Sequence, residues 1–367
     1  MPPAPLLDPD RMLPFAVGRP RTALWIGGSE GARLAEVAEE RGALVVREES
    51  AALAAGARFD LAFVTGAAAR RDLGAGLARS VPHLEDGGHV VVHHGAGVRS
   101  EEVLASLQGA GLTPLWRDGG VLAPSTFVVA RRPPERRPLS LTVGMISMNE
   151  AGAVGQVIDS IREHQPNAEI LLVDSSKDAT PEIAAARGAR VLRQFPPRGY
   201  GPAMTRLLYS ATTDVIVTMD CDGTYPTDRI GELHRLVEEG ADLVNTSRTH
   251  SWSRAMPLPN YLANRTFAAV SGAVHRFSTT DVHSGMRAYR MSMLRGVYVE
   301  EKGLALPVEL LIVPARRGYR TLDVNIAYFD RIGATTLNRW DSTVWTFRRI
   351  ARAAWSGGSA IAPAGTG

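Results

Sequence analysis

Residues 215–226 read VIVTMDCDGTYP, an apolar run that ends in two aspartates, Asp220 and Asp222. A buried strand that ends in carboxylates places them at the carboxyl edge of a parallel sheet, where α/β proteins bind ligands. The two side chains would diverge in a continued strand, but Gly223 and Pro226 allow a turn that directs both toward one cation. Mg²⁺ is typically held by one or two carboxylates together with substrate phosphates. The segment therefore predicts a divalent metal site, with a solvated turn as the alternative.

Three further strand-like segments precede this one, at residues 140–147, 169–173 and 189–192. Helical stretches lie between them, and each strand ends in polar residues. This βαβα alternation predicts an α/β domain whose ligand site lies along the strand ends.

The polar residues at these strand ends resemble the nucleotide-binding half of glycosyltransferase family two, which has a GT-A fold. The resemblance is carried by SMNE at residues 147–150, VDSSKDAT at 173–180 and RGYG at 198–201. Asp220-Cys221-Asp222 matches the DxD signature of that family.

Motifs further along the chain resemble the polyprenyl-phosphate mannosyltransferase (dolichol-phosphate mannose synthase) branch of the family. They are residues 246–248 and 281–290, with Asn264 and Glu309, and the whole resemblance covers roughly residues 140–336. Two departures weaken it: the usual double aspartate after the second strand is reduced to Asp174, and residues 331–336 (RIGATT) lack a final lysine. That lysine would favour an anionic acceptor.

The composition indicates an enzyme of two domains without a nucleic-acid partner. A chain of 367 residues is long enough for two buried cores, and a formal net charge of +3 suits anionic substrates. The only cysteine, Cys221, excludes an intrachain disulfide, fits a reducing cytoplasm and is expected to be an apolar filler. We see neither a secretion signal nor an apolar run of about 20 residues, and so predict a cytoplasmic protein, alternatively one peripheral at the inner face of the membrane.

The predicted fold class is α/β, with a GT-A, Rossmann-like nucleotide-sugar-binding domain preceded by a smaller Rossmann-like α/β domain. The predicted boundaries are an N-terminal extension (1–21), the smaller domain (22–131), a Pro- and Arg-rich linker (132–139), the GT-A domain (140–336), an amphipathic helix (337–355) and a disordered tail (356–367).

The smaller domain resembles a class I methyltransferase in its GGSEG loop at residues 27–31 and in a closing hairpin near residues 113–129. Trp25 stands where that family has an acid that binds the methionine amino group, and Ser29 replaces a glycine. We therefore expect a domain that has lost methyl transfer and serves in docking, in dimerisation as a homo-oligomer, or in covering the sugar site.

The resemblance implies a nucleotide-sugar donor and a bound Mg²⁺ or Mn²⁺. Asp220 and Asp222 would hold the cation and so offset the charge of the leaving diphosphate. Asp174 would accept hydrogen bonds from the nucleobase, and Glu309 would contact a sugar hydroxyl or pair with Arg316 or Arg317. The remaining donor-binding candidates are Ser147, Asn149, Glu150, Arg198, Gly199 and Gly201.

The acceptor half has two alternatives. A lipid monophosphate is already anionic and needs no base, and Ser247, Arg248 and Arg254 would hold it, with Arg287 and Arg331 as further acceptor-binding candidates. A hydroxyl acceptor would need a general base, for which Asp281 is the first catalytic candidate and His283 the second. Asp281 would otherwise tie Arg287 or a loop backbone in place.

The C-terminal helix is predicted to have an apolar stripe of Trp340, Val344, Phe347, Ala351 and Trp355, with Arg348, Arg349 and Arg352 off it. Such a helix would lie at a membrane interface or pack its stripe against the catalytic domain.

The sequence thus predicts a metal-dependent inverting glycosyltransferase that moves a sugar from a GDP- or UDP-sugar to a polyprenyl phosphate. The alternatives are transfer to a soluble metabolite hydroxyl and a non-catalytic scaffold that binds a nucleotide sugar.

Overall fold

The structure, a computed structural model, describes residues 16–27, 32–48, 56–66, 72–94, 98–118, 127–301, 303–332, 339–355 and 359–360. Within these residues the chain forms two α/β units, each built on a seven-stranded mixed sheet. The predicted fold class is therefore confirmed. Residues 28–31 of the GGSEG loop lie outside the described residues, and the methyltransferase resemblance stays a prediction.

The first unit consists of β1 (Thr22–Ile26), α1 (Ala32–Glu40), β2 (Leu44–Arg47), β3 (Phe59–Thr65), α2 (Leu73–Ser80), β4 (Leu84–His93), α3 (Ser100–Gly109), β5 (Thr113–Arg117) and β6 (Phe127–Arg131). Its sheet has the order β14-β5-β6-β4-β3-β1-β2, in which β14 is the distant segment Ser359–Ala360. Strands β1 to β4 are parallel, and β5 and β6 form the predicted antiparallel pair.

The second unit consists of β7 (Leu141–Ser147), α4 (Val154–His164), β8 (Glu169–Asp174), α5 (Thr180–Ala186), β9 (Arg190–Arg193), α6 (Tyr200–Ser210), β10 (Val215–Asp220), α7 (Ile230–Glu238), β11 (Leu243–Ser247), α8 (Leu258–His275), β12 (Arg287–Arg290), α9 (Met291–Gly296), α10 (Leu306–Arg316), β13 (Thr321–Asn325) and α11 (Arg339–Trp355). Its sheet has the order β13-β11-β12-β10-β7-β8-β9, in which β12 is antiparallel to both of its neighbours.

The last described residues return to the first unit. Ser359–Ala360 forms β14, which pairs antiparallel with Arg117 and Trp116 at the edge of the first sheet. The prediction of a disordered tail is wrong for these two residues, because the exposed edge of β5 offers backbone partners that composition alone does not reveal. The rest of the tail lies outside the described residues.

The two units contact each other at the amino edge of the second sheet. The hydroxyl of Tyr319 lies 2.7 Å from Nε2 of His89, and both side chains are buried. Burial lowers the pKa of His89 to about 3 and keeps its imidazole neutral. Arg131 at the end of β6 pairs with Asp242 at 2.5 Å, just before β11. The first unit is therefore docked on the second unit by buried polar contacts.

Close packing at this junction predicts that Gly296→Ala destabilises the protein. A Cβ there would lie 2.4 Å from the imidazole of His89 and 2.5 Å from the Tyr319 hydroxyl. Overpacking of this kind costs about 1–3 kcal/mol. The matched control is Gly109→Ala, whose Cβ would meet nothing within 4 Å. Urea unfolding followed by circular dichroism measures both changes, and equal midpoints for the two variants would contradict this packing.

Candidate active site

Three strands bring polar side chains to the carboxyl edge of the second sheet. Parallel pairing sets Ser147 beside Asp174 and Ile146 beside Asp220, so β7, β8 and β10 end together. The chain continues past this edge into the turn that holds Asp222 and the loop that holds Glu150. The structure therefore brings together most of the donor-side residues that the sequence predicted.

Asp220 and Asp222 lie close enough to disfavour each other's charge. Burial, reinforced by the charge of Asp222, raises the pKa of Asp220 to about 6. Asp222 is buried, and its Oδ1 accepts hydrogen bonds from the backbone amide of Thr224 at 3.1 Å and from its hydroxyl at 2.6 Å. The turn after β10 thus fixes the second carboxylate next to the first.

Arg331 supplies positive charge to this carboxylate pair. Its Nη2 lies 2.5 Å from Oδ2 of Asp222, and its Nη1 lies 4.0 Å from Oε1 of Glu150. The backbone amide of Ile332 donates to the carbonyl of Asp222 at 2.9 Å, which holds this segment over the turn. Burial raises the pKa of Glu150 despite the opposing charge of Arg331. The predicted acceptor-binding residue Arg331 therefore lies on the donor side of the site.

The carboxylate pair fits a hard divalent cation. Oδ2 of Asp222 is buried and accepts no hydrogen bond from a described residue, although the Arg331 guanidinium is near. Among the described residues, no three His, Cys, Asp or Glu side chains gather around one point. This donor set matches Mg²⁺ or Mn²⁺ held by two carboxylates and completed by ligand oxygens. Cys221 between them is buried in the core, as expected of an apolar filler.

Asp174 has its oxygens occupied by the protein. It is fully buried and accepts hydrogen bonds from the hydroxyls of Ser147 at 2.6 Å and Ser176 at 2.5 Å, and from Arg193. The carboxylate of Asp174 exposes no surface in this arrangement, and its contact with the nucleobase stays a prediction. Asp174 organises the loop after β8, where the Ser176 hydroxyl accepts from the amide of Asn149 at 2.8 Å.

The RGYG segment at residues 198–201 has two distinct environments. Arg198 and Gly199 are exposed, and Gly199 begins α6 with a φ of 97°, a value that favours glycine. Gly201 is buried, and a Cβ there would lie 1.8 Å from the carbonyl oxygen of Glu301. Gly201 is therefore needed for close backbone packing, and the presentation of its amide to a ligand stays a prediction.

Asp281 forms a buried ion pair with Arg248. Nε of Arg248 donates to Oδ2 at 2.7 Å and Nη2 donates to Oδ1 at 3.1 Å. Burial alone would raise the pKa of Asp281, but the pairing with Arg248 and the backbone amide of His283 bring it below its ordinary value. A carboxylate held this way is a poor general base, so the prediction of that role is corrected.

The guanidinium of Arg248 also reaches the phenol of Tyr225, with Nη1 3.2 Å from the hydroxyl. The same hydroxyl accepts from the amide of Gly285 at 2.7 Å. The neighbouring cavity of about 350 Å³ is lined by Arg248, His250, Ser251, Ser253, Asn325, Ile326, Ala327 and Tyr328. Arg248 thus links the carboxylate turn to a polar cavity.

The other acceptor-side candidates separate into buried and exposed residues. Ser247 is fully buried against Thr280, and its hydroxyl is not available to a ligand. Arg287 is fully buried, with its guanidinium bonded to Asn245, to Val282 and to Pro307. Both acceptor-binding predictions are corrected to structural roles. Arg254 is exposed beside this region and remains a candidate.

His283 points away from the carboxyl edge. Its Nε2 lies 2.8 Å from the hydroxyl of Thr346, and its ring packs edge-on against Phe267 at 5.3 Å. Burial lowers the pKa of His283 to about 4, so the imidazole is neutral and weakly basic. The second candidate base is therefore also corrected.

Glu309 holds the C-terminal helix on the domain. It is fully buried in α10 and pairs with Arg349 and, at 3.4 Å, with Arg352 of α11. Its ion-pair partners are therefore Arg349 and Arg352 instead of Arg316 or Arg317, and its buried carboxylate exposes no oxygen for a sugar hydroxyl. Since this buried acid draws Arg349 inward, Val344 and Phe347 turn outward and are 64% and 49% exposed. The side chains of Trp340 and Trp355 lie outside the described residues.

Three residues that build the site were not among the predicted site residues: Ser176, Arg193 and Tyr225. Tyr225 follows the aspartate turn directly, and this position was the only available signal for it. Arg193 lies at the end of β9, where it reaches the buried Asp174 by strand pairing. No sequence pattern marks a contact of that kind.

The second unit is similar to proteins of known family. The model of the family "Glycosyl transferase family 2" matches residues 142–297. A dolichyl-phosphate hexose transferase of Haloferax volcanii is 39% identical over 200 residues, 54% of this chain and 86% of the relative. An undecaprenyl-phosphate mannosyltransferase of Micrococcus luteus is 28% identical over 200 residues, 50% of this chain and 81% of the relative. Mannosyl-3-phosphoglycerate synthase from Rubrobacter xylanophilus aligns with a TM-score of 0.46 at 20% identity, over 58% of this chain and 73% of that chain.

The buried pair predicts that Asp281→Asn destabilises the protein strongly at neutral pH, because Arg248 is left without a counter-charge. Loss of one partner of a buried pair costs about 3–5 kcal/mol, whereas the control Asp159→Asn, in an exposed pair with Arg187, costs about 1 kcal/mol or less.

The difference in the free energy of unfolding between Asp281→Asn and the parent should depend on pH. The folded pKa of Asp281 lies below its ordinary value of 3.8, so its stabilisation is complete above that pH and declines as the pH falls below it. Urea unfolding at neutral and acidic pH measures this difference in free energy. A difference that grows in acid would contradict the pairing of Asp281 with Arg248.

Proposed function

The chain belongs to glycosyltransferase family 2, and we propose that this hexosyltransferase moves its sugar from a nucleotide-sugar donor to the phosphate of a polyprenyl phosphate. The observation that carries the proposal is the carboxylate pair at the end of β10. Arg331 pairs with Asp222 there, while burial, reinforced by the charge of Asp222, raises the pKa of Asp220 to about 6. A site with this excess of negative charge suits a cation and a diphosphate bound together.

On the donor side, the cation would be held by Asp220 and Asp222 and would supply charge neutralisation to the departing nucleoside diphosphate. Arg331 lies against Asp222 with its side chain partly exposed, and so can offer a second positive charge to a phosphate oxygen. The RGYG segment contains the exposed Arg198 and the start of α6. The family resemblance implies that this segment faces the ribose and phosphates of the donor.

On the acceptor side, a phosphate nucleophile removes the need for a general base. Asp281 is neutralised by Arg248, and His283 is weakly basic, so neither candidate suits a hydroxyl acceptor. The cavity beside Arg248 is lined by hydroxyl and amide groups that suit phosphate oxygens. The names of the two relatives, a dolichyl-phosphate hexose transferase and an undecaprenyl-phosphate mannosyltransferase, also support a polyprenyl phosphate.

A lipid acceptor requires contact with a membrane surface. In the described part of the chain, no helix is long and apolar enough to cross a bilayer. The outer faces of α8 and α11 instead expose Leu258, Leu262, Val344 and Phe347, with Arg348 exposed beside them. Apolar side chains flanked by arginine favour an interfacial position on anionic lipid.

The donor half predicts that Mn²⁺ and a nucleotide together raise the melting temperature. A screen of GDP- and UDP-sugars with and without Mn²⁺ identifies the donor, and Asp222→Asn should remove the metal-dependent part of the shift. The control Asp228→Asn changes an exposed aspartate of the following turn and should keep the full shift. Parental turnover by Asp222→Asn in metal-free buffer would contradict the metal site, and no shift with any nucleotide would favour a scaffold.

The membrane contact predicts that the double variant Val344→Asp, Phe347→Asp reduces binding to vesicles that contain anionic lipid and a polyprenyl phosphate. Transfer to the lipid acceptor should fall with it, while nucleotide binding stays intact. The matched control is Leu44→Asp, since Leu44 is 65% exposed on β2 of the first unit. Vesicle co-sedimentation measures the binding, and an equal loss in the control variant would contradict the assignment of this face.

A further inference from the structure

A second charged cavity lies between the two units. It has a volume of about 390 Å³ and is lined by Glu85 of the first unit, by Arg132 and Arg137 of the linker, and by Asp214 and Arg290 of the second unit. Asp214 precedes the first residue of β10, whereas Asp220 is the last. At a rise of about 3.3 Å per residue, the cavity lies roughly 20 Å from the carboxylate pair, at the opposite edge of the sheet.

The lining of this cavity carries more positive than negative charge. Six arginines contribute to it: Arg21, Arg58, Arg132, Arg137, Arg290 and Arg295. Four carboxylates oppose them, and each has an arginine partner in the lining. Glu85 pairs with Arg21 and Arg295, Glu135 with Arg132, and both Asp86 and Asp214 with Arg137. Asp60, which is not part of the lining, also pairs with Arg21 and Arg295.

Arg58 and Arg290 have no carboxylate partner in this lining. Arg58 donates only to the carbonyl oxygens of Pro82 at 2.5 Å and Leu84 at 3.3 Å. Arg290 is buried, its Nη2 donates to the carbonyl oxygen of Val237, and its Nε, which makes no hydrogen bond to a described residue, lies 3.9 Å from its ion-pair partner Asp242. That carboxylate is held more closely by Arg131. The six arginines of the lining thus face four carboxylates, and Arg58 is the arginine of the lining for which no carboxylate partner is found among the described residues.

We propose that this cavity binds a small phosphate dianion, either inorganic phosphate or a phosphate monoester, between the two units. Guanidinium groups match phosphate oxygens in geometry and charge. The volume is that of a small-molecule site, and is larger than a bare phosphate needs. Because Arg58 belongs to the first unit and Arg290 to the second, the bound anion also strengthens the docking of the two units.

Isothermal titration calorimetry in metal-free chloride buffer tests the site, with inorganic phosphate and glucose 1-phosphate as the two probes. The decisive variant is Arg58→Gln, whose exposed position leaves the fold intact. Loss of one charged hydrogen-bonding partner should weaken binding on the order of 10-fold. The control Arg33→Gln removes an exposed arginine of α1 in the same unit, away from the cavity, and should leave the affinity unchanged.

A third variant, Arg331→Gln, separates this cavity from the candidate active site. The proposal holds if Arg331→Gln keeps the parental affinity while Arg58→Gln loses it. It is overturned if Arg331→Gln alone loses binding, if Arg58→Gln binds like the parent, or if neither probe binds at millimolar concentration. Tighter binding of glucose 1-phosphate than of phosphate identifies a phosphate monoester as the ligand, and equal affinity identifies phosphate itself.

Discussion

Two carboxylates that must stay close together impose the main electrostatic constraint on this molecule. A strand end and a tight turn hold Asp220 and Asp222 side by side, and burial increases the free-energy cost of their repulsion. The protein places Arg331 on one side of the pair and Arg248 near the other. This arrangement reduces the repulsion without abolishing it, so an additional cation is favoured there. The donor chemistry that we propose depends on this residual imbalance.

Arginine serves in this protein as an internal cross-link as well as a ligand-binding group. Arg287 ties β12 to three other segments, and Arg349 anchors α11 on the buried Glu309. A guanidinium can satisfy several buried acceptors at once because its donors form a planar fork. The orientation of α11 follows from that anchor: burial of Arg349 turns Val344 and Phe347 outward. A structural ion pair thus creates the apolar surface that we assign to the membrane.

The two units are joined so that the carboxyl edge of the second sheet is left to the substrates. Their contacts, including His89 with Tyr319 and Arg131 with Asp242, lie at the amino edge of that sheet. These two contacts lie away from the carboxylate pair at the opposite edge of the sheet. The charged cavity at the junction belongs to neither unit alone.

The sequence by itself determined the α/β class, the order of the strands from β7 to β10 and the carboxylates at the end of β10. These features depend on local hydrophobic periodicity and on turn residues that act within a few positions. Only the tertiary structure decided which polar residues remain accessible. Asp174, Asp281 and Glu309 looked like ligand groups, yet each is enclosed by a cation or hydroxyl from a distant segment. The amino-acid sequence alone gives no signal for such pairings, because the burial and charge compensation of a residue depend on the segments that fold against it.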